Sequence, residues 1–321
     1  MASYNIIKLL NWGTMDYINF ELKLRQILNK DNGPKLLLKM IEAPYRYQSQ
    51  YQLFDALTKM NQSFLRTQEN KFNKFIIECA ESLITNSFEE NGIQHIKSSF
   101  NLTFIDKSKV DTETNLSAEQ IIELAEEVKF RSNLAFIDTQ NKKMYVVFAR
   151  KRDTFDKSSL AKLLENITKR NNALINSYQD YQINFIYWFI DEFYTKNFDV
   201  FNSFSKQNES ENNNIMFLYG SQFLGLFNLQ NDWDNIQSHM KKFKTNSIQD
   251  IYKMPNLNKD PETFEFMVEM SAKNWEKLSS DEPDMINLRN IVFDNQSESS
   301  NYIRAMRERN QKLSDEFGVE E

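Results

Sequence analysis

The sequence predicts an α/β fold: a mixed central β-sheet flanked by helices, with helical N- and C-terminal additions. Three observations lead there. Apolar residues recur at helical spacing through roughly the first 90 residues. From Phe100 to Tyr219, short β-prone runs alternate with helical stripes, the order expected of a sheet with helices on its faces. After Trp233 helical spacing returns, broken by Pro255, Pro261 and Pro283. The regions read as 1–95 helical, 96–243 α/β core and 244–321 helical.

Tyr17, Phe20, Leu24, Ile27 and Leu28 follow the i, i+3, i+4, i+7 spacing of an amphipathic helix. Asp31, Asn32, Gly33 and Pro34 are expected to stop it, because Gly accepts a left-handed terminus and Pro cannot continue. A second helix is expected from Lys35 to Ala43, before Pro44. Two or three more are expected between Gln50 and Ser87, where Phe64, Phe72, Phe75, Ile76 and Leu83 supply apolar faces. Phe100 to Ile105 alternates as a short strand would. Ser117 with Gln120 forms a capping box for a helix reaching Lys129.

Leu134–Ile137 and Met144–Ala149 are β-prone runs on either side of the polar stretch Asp138–Lys142, and together they predict a hairpin. Ser158 or Ser159 is expected to cap a long helix with the stripe Leu160, Leu163, Leu164, Ile167. Ile183–Ile190 is almost continuously apolar, as a strand buried on both faces would be. Ile215–Tyr219 is another strand, ended by Gly220 and followed by a helix. Ser205–Asn214 is polar and predicts a loop. The tail from Asn295 is polar and weakly periodic.

The composition narrows the function. With 321 residues the chain buries a sizeable core, and its 40% hydrophobic and 26% charged content excludes collagenous or wholly disordered classes. No apolar run is long enough to span a membrane, and mean hydropathy is −0.62. Met1–Met15 lacks the pattern of a secretory signal. The one cysteine, Cys79, forms no internal disulfide or cysteine-rich zinc site. A cytoplasmic protein is expected. The net charge is −6, yet Lys129–Arg170 carries 11 basic residues and four acids, a local +7. An acidic body with one basic strip suits contact with a polyanion.

Ser132–Asp153, with the polar turn and helix of Thr154–Ile167 and the later Ile215–Leu224 and Trp233, resembles type II restriction endonucleases of the PD-(D/E)xK nuclease superfamily. In that site one strand brings an Asp, and the next brings a Glu and, two residues on, a Lys. The carboxylates hold Mg²⁺, which activates water and takes up phosphate charge. Residues i and i+2 of a strand point the same way. The resemblance implies a restriction-endonuclease-like core, double-stranded DNA as partner, dimers and a restriction-modification setting.

The key positions depart from that pattern. Asn133 stands where the Asp belongs, Phe148 where the Glu belongs and Arg150 where the Lys belongs. An amide binds Mg²⁺ poorly, a phenyl ring not at all, and Arg keeps a charge but does not transfer protons. The leading expectation is a DNA-binding relative with cleavage lost or strongly reduced, a homodimer or the partner of an active subunit. Its DNA contacts would be Arg150, Lys151, Arg152, Lys157 and Arg46. One alternative is an active Mg²⁺-dependent enzyme with relocated ligands, Glu165 and Glu126 or Glu127, the latter two on the helix before the hairpin. Another is a non-enzymatic helical interaction protein.

Other candidates carry less. Asp138, Asp153 and Asp156 read as solvated turn residues too distant from the site. His95 and His239 read as surface or capping residues, and Cys79 as a buried thiol. Tyr45–Gln52 interleaves aromatics, Arg46 and amides, which stack on bases or cover a seam. No P-loop, Rossmann glycine pattern or Gly-x-Ser-x-Gly elbow is present.

Overall fold

A computed structural model of the chain describes residues 15–88, 92–105, 125–293 and 297–317. The chain forms two compact units. One is built on Ile76–Ser238. The other joins Asp16–Phe75 to His239–Glu321, so it is discontinuous in sequence.

The helical unit opens with α1 (Tyr17–Asn29), capped by the Asp16 carboxylate, which accepts from Asn19 N at 2.8 Å. Next comes α2 (Asn32–Glu42), which starts three residues earlier than expected. Asp31 takes the left-handed turn (φ 55°) and Pro34 fits in the first turn, where its missing N–H has no intrahelical partner to lose. Then follow α3 (Tyr45–Gln48) and α4 (Ala56–Phe88), one 33-residue helix where two or three were expected. No Pro or Gly interrupts that stretch, so nothing breaks its hydrogen-bond ladder.

The sheet unit takes over within α4. Its strands are β1 (Ile93–His95), β2 (Ser99–Ile105), β3 (Ala125–Arg131), β4 (Leu134–Asp138) and β5 (Lys143–Arg150), then α5 (Lys157–Ser177), β6 (Gln182–Phe189), α6 (Phe198–Gln207) and β7 (Asn213–Tyr219). A short α7 (Gln222–Gly225) leads to α8 (Gln230–Asn246), within which the chain returns to the helical unit.

The main sheet has the order β1-β4-β5-β6-β7. β4 pairs antiparallel with both β1 and β5, whereas β5, β6 and β7 run parallel. The sheet is therefore mixed and the α/β class holds. The β4–β5 hairpin closes through Asp138–Lys142, where Asp138 accepts from Asn141 N at 2.9 Å and Lys142 adopts φ 51°.

Every residue of β6 after Gln182 is buried, as expected for a parallel strand covered on both faces. One face joins Met144, Val146, Phe148, Phe185, Tyr187, Phe217 and Tyr219 to the α5 stripe Leu160, Leu163, Ile167. The antiparallel β2–β3 ribbon packs on α5 and adds Phe100 and Phe130. On the other face Trp188 lies against Phe223 and Trp233 and donates to Gly220 O at 2.9 Å.

Three expectations need correction here. The Ser117 capping box and residues 118–124 lie outside the described residues, but 125–129 is strand rather than helix, its residues bonded into the β2 ladder. Neither Ser158 nor Ser159 caps α5. Asp156 does, accepting from Ser159 N at 2.7 Å while Ser159 Oγ accepts from Asp156 N at 3.1 Å. Ser205–Gln207 is the last turn of α6 rather than loop, held by Phe201 buried against Phe217 at 4.1 Å. Asn301–Phe317 is helix, in keeping with the helical reading of 244–321.

After α8 the helical unit continues with α9 (Pro261–Glu269), α10 (Ala272–Ser279), α11 (Pro283–Val292) and α12 (Asn301–Phe317). Pro261 and Pro283 open helices, where their fixed φ suits the first turn. Leu36, Leu37, Met40, Met60 and Phe64 share one core with Met267, Leu278, Met285, Leu288 and Ala305. Gly33 marks a close approach: a Cβ there would overlap Thr263 Oγ1 and the Asp260 carboxylate. Among the described residues no helix is long and apolar enough to cross a membrane.

Candidate nucleic-acid interface

The end of β5 holds the three positions of the resembled motif. Asn133 precedes β4 and is exposed. Its Oδ1 accepts from Ala149 N at 2.8 Å, and its own N–H donates to Val147 O at 2.8 Å. The amide thus fastens the open end of the hairpin to β5. Its oxygen is already occupied.

Phe148 is buried inside the α5-side core. Its ring stacks on Tyr187 at 5.2 Å and on Phe185 at 5.0 Å, and tilts against Phe130 at 6.0 Å. The Arg170 guanidinium of α5 sits 5.4 Å above the same ring. Burial raises the Tyr187 phenol, and the charges of Arg170 and Arg150 oppose that rise. Phe148 and Arg150, two residues apart on β5, share the face that strand alternation gives them, the ring buried and the guanidinium exposed.

The relocated acids lie on two elements, α5 and β3. Glu165 is exposed on α5, about 200° around the helix from Leu163. Glu126 and Glu127 lie on strand β3, not on a helix as expected. Glu126 pairs with Lys169, and Glu127 with Lys129 at 2.8 Å. The lysine and an Asn101 hydrogen bond hold the Glu127 carboxyl below its ordinary range. Among the described residues no group of three or more His, Cys, Asp or Glu side chains is placed to hold a metal ion. The motif residues do not fit Mg²⁺: a committed amide, a buried ring and a guanidinium offer no ligand set.

Beyond Arg150 the chain stays extended beside the end of β6. Ile190 N donates to Arg150 O at 2.9 Å and Asp191 N to Lys151 O at 3.0 Å. Lys151, Arg152 and Lys157 are exposed. Arg152 Nε donates to Asp191 Oδ2 at 3.1 Å, and its guanidinium lies 4.7 Å over the Tyr194 ring. Arg46 is exposed on α3 of the helical unit, 5.9 Å over Tyr45. Its neighbour Tyr47 is buried there and donates to Ser63 Oγ at 3.2 Å, so part of Tyr45–Gln52 is core cover.

Asp153 is the residue that sequence reasoning misplaced. It is completely buried rather than solvated. Its carboxylate accepts from Asn197 N and Asn197 Nδ2, both at 2.6 Å, and from the Tyr219 hydroxyl at 3.1 Å. Burial, first, and then the Asp153 charge push the Tyr219 phenol far up. An Asp one residue past a basic run gives no signal of this in sequence, because its partners lie 44 and 66 residues away.

The remaining candidates have structural partners. Asp138, like Asp153, is buried rather than solvated as expected, because it accepts from Asn141 N and Nδ2 in the hairpin turn, and Asp156 caps α5. His95 Nε2 meets Glu81 at 2.9 Å, and His239 packs on Tyr17 and Phe20. Cys79 is fully buried, which holds its thiol well above the ordinary range and unfit as a nucleophile.

Comparison with protein-family models, with curated proteins and with solved structures found no match to this chain.

Proposed function

We propose that this chain is a restriction-endonuclease-like protein that binds double-stranded DNA in the cytoplasm and has lost, or nearly lost, cleavage. The observation that carries the reading is the run Arg150, Lys151, Arg152 at the end of β5. There the sheet changes from antiparallel to parallel pairing, with Phe148 packed where the acid of the motif would stand. Open α/β sheets bind ligands outside the carboxyl ends of their strands, the end at which this run lies. The succession of antiparallel β4–β5 hairpin, helix α5 and parallel strand β6 supports the reading, although strand β3 precedes the hairpin where a helix was expected. The protein acts as a homodimer or beside an active subunit, since two-fold sites on a duplex favour paired chains.

The test is an electrophoretic mobility shift with a duplex at several salt concentrations. Wild type binds with an affinity that falls steeply with salt, because phosphate contacts release counterions. Arg150→Ala with Lys151→Ala lowers affinity and flattens the salt slope by about one to two. Unchanged affinity in that double variant overturns the reading. Plasmid cleavage in Mg²⁺ that Glu165→Ala abolishes would replace it with an active enzyme.

A further inference from the structure

The segment that runs beside the basic strip carries an aromatic side chain left almost wholly exposed among the described residues. Phe193, between β6 and α6, is 87% exposed, the most exposed large apolar side chain among the described residues of the sheet unit. Tyr194 beside it is 46% exposed. An apolar ring left in water forgoes about 1.5–3 kcal/mol of burial, and nothing in the local fold requires Phe here.

The backbone beneath it is firmly held. Asp191 is tied to Lys151 O and to Arg152, and Phe193 N donates to Asp191 Oδ1 at 3.3 Å. Thr195 bridges to Asp153 in parallel register. Asn197 then anchors the far end through both Asp153 oxygens and donates to Phe155 O at 3.2 Å. The ring stands on a pedestal fixed at both ends, so engaging it orders little further chain.

Arg150, Lys151, Arg152 and Lys196 lie on the two segments. Against them stand Asp191, paired with Arg152, the buried Asp153, the exposed Glu192 beside Gly220, and Asp199 in the first turn of α6. A docked protein suits this site poorly. Phe193 and Tyr194, even with the half-exposed Phe198 and Val200 of α6, supply an area in the low hundreds of Å², against about 800 Å² per partner in a stable interface. A base needs only one π-face, with cations nearby for the adjoining phosphates.

We propose that Phe193 stacks on an unpaired base of bound DNA, so that the protein prefers a duplex with a bulged or mismatched base over a fully paired one. The proposal rests on the DNA-binding reading above and adds the feature recognised. A stacked base is worth about a five- to hundred-fold change in affinity.

The experiment uses the full chain with two duplexes of one sequence, one fully paired and one with a single bulged 2-aminopurine. Wild type binds the bulged duplex more tightly and quenches its fluorescence. Phe193→Ala loses both the preference and the quench, while its affinity for the paired duplex, its salt slope and its melting temperature stay unchanged. Phe193→Trp keeps the preference. If Phe193→Ala retains preference and quench, the stacking proposal falls and DNA binding stands. If wild type binds neither duplex at low salt, both fall.

Discussion

Replacing Asp153 with alanine should cost the sheet unit more than any other single surface-adjacent change. The substitution orphans the Asn197 N–H and the Tyr219 hydroxyl, and it leaves Asn197 Nδ2 only its longer bond to Phe155 O. Each buried donor left unsatisfied costs about 1–3 kcal/mol, so two full losses and one partial loss give about 3–5 kcal/mol. In a unit of about 160 residues, 1 kcal/mol shifts melting by about 2–4 °C, which sets the expected drop near 10 °C. Asp153→Asn keeps one acceptor oxygen but aims an amide at a donor, and it falls between wild type and Asp153→Ala. Differential scanning calorimetry reads both, and limited proteolysis detects cutting between Asp191 and Asn197 as the pedestal loosens. A melting temperature for Asp153→Ala within about 2 °C of wild type refutes the reasoning, because the three bonds would then contribute almost nothing.

Other outcomes follow from the same geometry. Gly33→Ala forces a methyl into Thr263 and Asp260 and destabilises the helical unit by about 2 kcal/mol or more, read by urea unfolding. Phe148→Ala empties the stack on Phe185 and Tyr187 and costs about 3–5 kcal/mol, with no gain of Mg²⁺-dependent plasmid cleavage. The Asp156 carboxyl is held low by its hydrogen bonds to Ser159, so its support for α5 is present above the ordinary carboxylate range and lost as pH falls through the lowered value. The acid-side decline in melting temperature is therefore smaller in Asp156→Ala than in wild type. Burial and nearby Lys35 bring Lys71 down to about 8. The unfolded chain then binds more protons from pH 8 up to the ordinary value of 10.5, so this group makes stability rise with pH across that window, and Lys71→Met removes the rise in pH-dependent melts.

β2, β4, β5, β6 and β7 were legible because their apolar runs are short, β-branched or aromatic, and bounded by turns, whereas β1 (Ile93–His95) fell in the region 1–95 expected to be helical. β6 in particular announced burial on both faces. The first turn of α2 was not legible, because Gly33 and Pro34 read as breakers; tertiary contact with α9 and the tolerance of first-turn positions for Pro reversed their meaning. β3 was misread as helix because a Ser/Gln capping pair and Glu-rich composition mimic one, while pairing with β2 decided otherwise. At the site, the residue types at 133, 148 and 150 could be read, along with the poor ligand set they make. Two things could not be read from one sequence. Nothing in residues 129–170 reveals that Asn133 is spent on Ala149 or that Arg170 covers Phe148. Likewise the texture changes near 96 and 243 do not tell that both flanking helical stretches share one core.

That shared core sets an order of events during synthesis. A ribosome releases 16–75 long before 239–321, so the first helices wait with one apolar side uncovered while the whole of 76–238 emerges and closes its own sheet. Until α9 to α12 arrive, Leu36, Met40 and Phe64 are surfaces for a chaperone or for another nascent copy, and a ribosome that stalls near residue 240 leaves a finished sheet tethered to an adhesive stub.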